Sequence, residues 1–198
     1  MFEHNAAGGS GILEGLRLFL SQRIPAFERV VIVESGSRQL LEDLLPGLYQ
    51  IHGEGMQLDL VTCYVGVPAG FRADRGRVFR ITEYPAGGAG RAQVVAALRE
   101  RQHSIVGVIC SNEPIMTKWK WMLTARLPAK LFVLNENGDY FWVDRGNWNT
   151  VFHFVLFRAG LTGAGAVVTI GRILLFPVSV IYLLAFAGLV HFRRRARA

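Results

Sequence analysis

The chain is poor in the residues that build disulfide scaffolds and metal centres. Only two of its 198 residues are cysteine, Cys63 and Cys110. Neither has a CxxC neighbour or a histidine at ligand spacing, which argues against a disulfide framework and a structural zinc site. Each lies in an apolar, strand-like run, so both read as reduced, buried thiols. His52, His103 and His153 have no partner at catalytic or ligand spacing, so neither a triad, a metal nor a cofactor is expected. Acids are missing from the whole last quarter. After Asp144 there is no Asp, Glu or Lys, yet seven arginines follow. Before Arg145, fifteen basic residues balance fifteen acidic ones, so the formal charge of +7 belongs to the tail. Nucleic-acid binding needs a basic face on a folded module. A neutral module offers none, and no nucleic-acid partner is expected. A secretory signal is also missing from the start: the first apolar segment, Ile12 to Ile24, is broken by Glu14, Arg17 and Arg23.

What the tail does have is a long apolar run. From Ile173 to Val190 eighteen residues carry no charge, and Arg193, Arg194, Arg195 and Arg197 follow. As a helix this run rises about 27 Å, against a bilayer core of roughly 30 Å. Ser179 and Tyr182 are its only polar breaks, too few for a soluble amphipathic helix. The partner implied is a lipid bilayer, with arginines at anionic head groups. Upstream, Val151 to Phe157 suits an interfacial helix and Gly160 to Gly165 a break. Pro177 sits inside the apolar run. Three arrangements fit: an anchor bent at Pro177, which we favour, a hairpin turning at Gly171-Arg172, or a full span. The arginine cluster and the missing export signal place the globular part on the cytoplasmic side of an inner (cytoplasmic) membrane.

Ahead of the tail the pattern alternates. Ser10 caps a short amphipathic helix over 12–22 that Pro25 ends. Val30–Val33 is a β-branched run suited to a central parallel strand. An amphipathic helix follows and stops at Pro46-Gly47. Strands are expected at 58–64, 78–82 and 105–110, and a helix at 91–102. Another helix opens at Glu113-Pro114, with proline in the first turn. Leu131–Leu134 and Tyr140–Val143 flank Asn137-Gly138, a hairpin turn signal. Strand alternating with helix predicts an α/β fold: one doubly wound, mostly parallel sheet with a late β-hairpin, followed by a C-terminal membrane-associated helix. The divisions expected are a tail and amphipathic helix over 1–27, a Rossmann-like domain over 28–145, and an interfacial helix with its glycine-rich break over 146–165. A membrane helix or re-entrant anchor over 166–192 and a basic tail over 193–198 complete the chain.

Ligands of doubly wound sheets bind beyond the carboxyl ends of the strands. Three loops occupy that rim. Ser35, Gly36, Ser37 and Arg38 stand at a helix start, where backbone N–H groups and the dipole hold a phosphate or carboxylate; an ordinary capped turn is the alternative. Gly88 and Gly90 belong to a partial glycine-rich pattern, either a phosphate-contacting loop or a flexible turn. Ser111, Asn112 and Glu113 form the third loop. Glu34 and Glu113 are the candidate catalytic carboxylates, Glu113 either as a general base or as a plain helix-start acid. The run Lys118-Trp119-Lys120-Trp121 suits a head-group interface or a half-buried helix with snorkelling lysines. The acids of Asn135–Asp139 are explained by the hairpin turn without metal.

The first strand VVIVESGSR, the helix RAQVVAALRERQHS with its strand IVGVICS, and MTKWKWMLTARLPAK running into LFVLNENGDYFW give residues 29–144 a layout of their own. It resembles the N-terminal Rossmann-type half of GT-B glycosyltransferases of the heptosyltransferase kind. The resemblance implies acceptor contacts and a catalytic acid after the first strand, where Glu34 stands, although the family's Gly-Asp pair is absent. It also implies a sugar-phosphate or nucleotide-sugar ligand. The half that would hold the nucleotide sugar is replaced by the apolar tail. Two functions follow. One is a membrane-anchored binding component of cell-envelope glycan or lipid-linked sugar assembly, recruiting a protein partner through its Trp-rich helix and hairpin. The other is a glycosyltransferase-like enzyme at the membrane face.

Overall fold

A computed structural model describes residues 16–111, 113–162 and 164–195. The chain divides into two compact units, Met1–Trp148 and Asn149–Ala198.

The first unit is built on a six-stranded sheet of order β3-β2-β1-β4-β5-β6. Its strands are β1 (Arg29–Val33), β2 (Gln57–Thr62), β3 (Val78–Arg80), β4 (Ile105–Cys110), β5 (Lys130–Asn135) and β6 (Tyr140–Trp142). The first five run parallel, and β6 returns antiparallel on β5. The helices are α1, of which residues 16–20 are described, α2 (Arg38–His52), α3 (Gly88–Glu100) and α4 (Thr117–Arg126). This is the expected α/β fold, a Rossmann-like sheet closed by a late hairpin.

Burial on both faces explains why the parallel strands read as unbroken apolar runs. All six residues of β4 are buried, as are the last four of β1. One face carries Val30, Ile32, Leu58, Leu60, Ile105, Ile109, Phe132 and Leu134, covered by Leu41 and Leu45 of α2. The alternate residues of the strands point to the other face, where Asp59 reaches Arg101 and His103 just past α3. Arg99 of α3 donates two hydrogen bonds to the Arg126 carbonyl at the end of α4, so α3 and α4 are neighbours.

Several boundaries differ from expectation. Helix α2 does not stop at Pro46-Gly47 but continues to His52. A proline in a helix interior removes one backbone bond and crowds the carbonyl four residues back, at about 3 kcal/mol. Fully buried Leu41 and Leu45 fix the register ahead of it, and Leu48 and Tyr49 pack on the core beyond it, so tertiary burial overrides the local break. Strand β3 ends at Arg80 in a 3-10 turn, and the glycine-rich stretch before Arg91 is already helical from Gly88. Helix α4 starts at Thr117 rather than at Glu113-Pro114, because Met116 takes a left-handed conformation (φ 50°) and interrupts any earlier turn.

The hairpin forms where Asn137-Gly138 predicts it. The Asn135 side-chain oxygen accepts from the backbone N–H groups of Asn137 and Asp139, and this local bonding shapes the turn. At the opposite end of β5, buried Lys130 forms an ion pair with Asp144 Oδ2 (3.1 Å) and donates to the carbonyls of Leu18 and Ser21. Its ammonium therefore ties the strand, the chain after β6 and the α1 segment together.

The second unit contains most of α5 (Trp148–Arg158) and then α6 (Ala164–Arg195), a single helix of 32 residues. Helix α6 passes without interruption through Gly171-Arg172, where the hairpin alternative would turn, and through Pro177, where the favoured anchor would bend. Residues Ala166–Leu189 have a mean hydropathy of 2.2, and none of that stretch is buried. At 1.5 Å per residue these 24 residues rise about 36 Å, so the chain carries one C-terminal helix long and apolar enough to cross a membrane.

Candidate functional site

The strand order reverses between β1 and β4, and in open α/β sheets that switch point is where ligands settle. Four chain segments meet there beyond the carboxyl ends: Glu34–Arg38 after β1, Cys63–Val65 after β2, Ser111 and Glu113 after β4, and the buried face of α4.

Glu34 is fully buried. A carboxylate is stable in such a place only when its charge and lone pairs are answered. Arg38, one helical turn later, donates from Nε (2.7 Å) and Nη2 (3.3 Å), and the Thr62 hydroxyl donates at 2.5 Å. The Thr62 oxygen in turn accepts from the Tyr64 backbone N–H at 2.9 Å. Arg38 Nη1 donates to the Val65 carbonyl, and the guanidinium lies over the Tyr64 ring, 4.9 Å from its centroid. The hydrogen bond to Glu34 raises the Arg38 pKa against the opposing effect of burial, so its charge is permanent. Three of the five guanidinium N–H groups are engaged, which leaves two for a ligand. Glu34 thus acts on Arg38 as a positioning residue, with both of its oxygens occupied.

Tyr64 and Cys63 share the rim. Burial raises the Tyr64 pKa, and the charges of Cys63, Glu113 and Glu34 raise it further. Burial likewise raises the Cys63 thiol, so a nucleophilic thiolate is disfavoured. Glu113 is exposed at the same rim. Glu34 and Arg38 therefore meet beside Tyr64, while no contact joins Glu113 to them among the described residues.

Ser35 has a different position from the one its motif suggests. Its hydroxyl donates to the Ile109 carbonyl (2.8 Å) and accepts from the Ile109 N–H (3.2 Å), a buried strut between the ends of β1 and β4. Gly36 is pressed onto β4: a Cβ there would stand 2.5 Å from Ser111 Oγ and 2.6 Å from Ile109 Cγ2. Ser37 occupies the N-cap of α2, but its side chain makes no capping bond, so the first N–H groups of the helix are not closed by it. Ser111 Oγ is buried and has no hydrogen-bond partner among the described residues. Asn112 lies outside the described residues.

Gly88 and Gly90 stand apart, after β3, which is two strands and roughly 10 Å from β1. Gly90 is buried against the chain, since a Cβ there would strike the Pro85 carbonyl at 1.8 Å; Gly88 is open. The former is a packing glycine in α3.

Sequence reasoning missed Lys120. It is 5 % exposed, and its Nζ donates to the Ile109 carbonyl at 3.2 Å. The signal was present: Lys120, Leu123 and Leu127 recur at helical spacing, and all three are buried. Its neighbours Lys118 and Trp121 are exposed, as a head-group or solvent face requires.

Away from the rim, an apolar cleft of about 700 Å³ lies between α2 and the hairpin. Leu44, Leu48, Phe27, Phe132, Tyr140 and Trp142 line it, and none of the rim residues does. Trp142 meets Phe27 and Phe132 edge-on, both at 5.7 Å between ring centroids.

Comparison with known protein families, with curated proteins and with solved structures finds no match to this chain.

Proposed function

We propose that this protein is a membrane-anchored, Rossmann-like binding component of cell-envelope glycan or lipid-linked sugar assembly, taking a sugar-phosphate or nucleotide-sugar ligand at the switch point of its sheet. The observation that carries this reading is the Glu34–Arg38 pair. A general base needs a carboxylate oxygen open to the substrate proton, whereas Glu34 is buried with both oxygens bonded. The pair instead holds a permanent cation at the rim with two donors left over, an arrangement suited to binding. The ligand class comes from the resemblance of residues 29–144 to a glycosyltransferase half. The anchor comes from α6, whose apolar stretch has no covering protein among the described residues. In this reading the membrane is the inner one and the globular unit faces the cytoplasm.

A second reading, a transferase-like enzyme, is favoured by one observation only. Glu113 is an exposed carboxylate at the same rim, and its charge adds to the rise of the Tyr64 pKa.

Calorimetry of the detergent-solubilised chain against nucleotide sugars tests the binding reading. Removing Arg38 alone would strand the buried Glu34 charge, so the double change Glu34→Gln with Arg38→Met is the informative variant. Loss of nucleotide-sugar binding with circular dichroism unchanged is expected. Unchanged binding in the double variant overturns the reading. Turnover that vanishes in Glu113→Gln would favour the enzyme instead.

A further inference from the structure

Helix α2 carries two sets of apolar residues, and the core takes in only one of them completely. Leu41 and Leu45 are fully buried over the sheet. Leu40, Leu44, Leu48 and Ile51, spaced three and four apart, line the flank that looks toward the hairpin, and Ile51 is 73 % exposed. Between that flank and the hairpin lies the cleft of about 700 Å³, a volume usual for small-molecule sites. Phe132 and Leu134 of β5 line it from the sheet, Tyr140 and Trp142 from β6. From Leu40 to Ile51 the helix rises about 16 Å, so the apolar flank is long enough for an extended chain.

The two ends of the cleft differ. Helix α2 leaves the carboxyl end of β1 and returns to the start of β2. Leu40 and Asp43 therefore stand at the carboxyl end of the sheet, and Ile51 and His52 at the amino end. Glu136 follows β5 at the carboxyl end, and Tyr140 pairs with Leu134 there. At the amino end the Phe27 ring stacks on His52, 3.7 Å between centroids and 7° between planes. Burial lowers the His52 pKa, which keeps that imidazole neutral near pH 7.

Charge in the cleft thus has one sign and one location. Asp43 and Glu136 line it, and among the described residues no Lys or Arg does. Asp43 Oδ1 accepts from Gln39 Nε2 (2.9 Å), which steadies the carboxylate and leaves its second oxygen for a ligand. Two acids beside a tyrosine suit an ammonium and repel an anion. The aromatic and leucine walls suit an apolar chain.

We infer that this cleft binds a single-chain amphiphile with a cationic head, its chain along Leu44, Leu48, Phe132 and Trp142 and its ammonium beside Asp43, Glu136 and Tyr140. None of the switch-point residues lines the cleft, so the inference goes beyond the proposed function and does not depend on it.

The test is calorimetry of the full chain in phosphatidylcholine nanodiscs, titrated with octylammonium, octanol and octanoate against empty nanodiscs as the blank. The wild type is expected to bind octylammonium saturably and about tenfold or more tightly than octanoate. Gly47→Phe fills the cleft from α2, because Gly47 lines it and a Cβ there meets nothing within 4 Å. This variant is expected to bind octylammonium about tenfold or more weakly. Its melting temperature stays level or rises, since glycine is a poor helix former. Asp43→Asn keeps the bond from Gln39 and removes the charge, so octylammonium is expected to weaken about threefold while octanol is unmoved. Should Gly47→Phe fail to fold, Asp43→Asn, at an exposed residue, decides alone. Absence of saturable octylammonium binding in the wild type overturns the inference, as does equal affinity for octanoate. Undiminished binding in folded Gly47→Phe, or in Asp43→Asn, overturns it as well. A wild type that binds no octylammonium but is a dimer in native mass spectrometry, and a monomer as Gly47→Phe, replaces the amphiphile by a second copy of the chain. Octylammonium binding is expected to persist in the Glu34→Gln, Arg38→Met double variant, whose nucleotide-sugar titration reads the switch point separately.

Discussion

The two units of this chain solve the burial of apolar residues in opposite ways. In the first unit β-branched and leucine side chains are removed from water by a sheet with helices on both faces, and core residues such as Val30, Leu41 and Ile105 are fully buried. In the second, Leu174, Phe176 and Leu184 are each 68 % exposed along one continuous helix. Charge follows the same division. The first unit sets acids against basic side chains of its interior, as at Asp144 beside Lys130 and Asp59 beside His103 and Arg101. The second has no acid at all. One unit is thus held by its own interior, and the other is suited to an interior supplied from outside.

The sharpest way to break that contrast is to separate the halves. A chain ending at Trp148 is expected to stay folded and remain in the supernatant with liposomes, while residues 149–198 fused to a soluble reporter sediment almost entirely. Sedimentation of the shorter chain with vesicles would end the comparison. Next in size is a pair of leucines. Leu45→Ala, at a fully buried site, is expected to destabilise the globular unit by about 2–5 kcal/mol in denaturant titration, whereas Leu183→Ala, 62 % exposed, leaves that transition unmoved.

The smallest effect is a pH limb. Burial raises the Asp59 pKa, but hydrogen bonds from His103, the Arg77 N–H and Arg101 more than offset it, so the pKa falls below the usual 3.8. A carboxylate depressed in the folded state contributes stability above its unfolded pKa and loses it as pH falls through the folded value. The wild type should therefore weaken below about pH 4, and Asp59→Asn should flatten that limb while lowering stability at neutral pH. An unchanged limb in the variant would show that other carboxylates account for it.

Much of the sheet was legible because its cues are local. Val30–Val33 and Ile105–Cys110 are apolar runs bounded by turn residues, and Asn137-Gly138 names its hairpin. Pro46 misled because a local break was outweighed by core contacts of Leu48 and Tyr49 that no window of sequence displays. Glu113-Pro114 misled in the same way, through the left-handed Met116 that follows. At the site, the rim loops were found from strand ends, but their chemistry was not. That Glu34 is sealed by Arg38 and Thr62 depends on a residue 28 positions away, and the burial of Lys120 depends on where α4 starts.

The grip of Lys130 on the Leu18 and Ser21 carbonyls fixes where this fold begins. A chain trimmed to start at residue 28 would keep all six strands and still leave an ammonium in the interior with both of its carbonyl acceptors gone and only the Asp144 ion pair left. The short approach to the sheet is therefore a foundation stone, and any attempt to shorten the protein should cut ahead of Leu18.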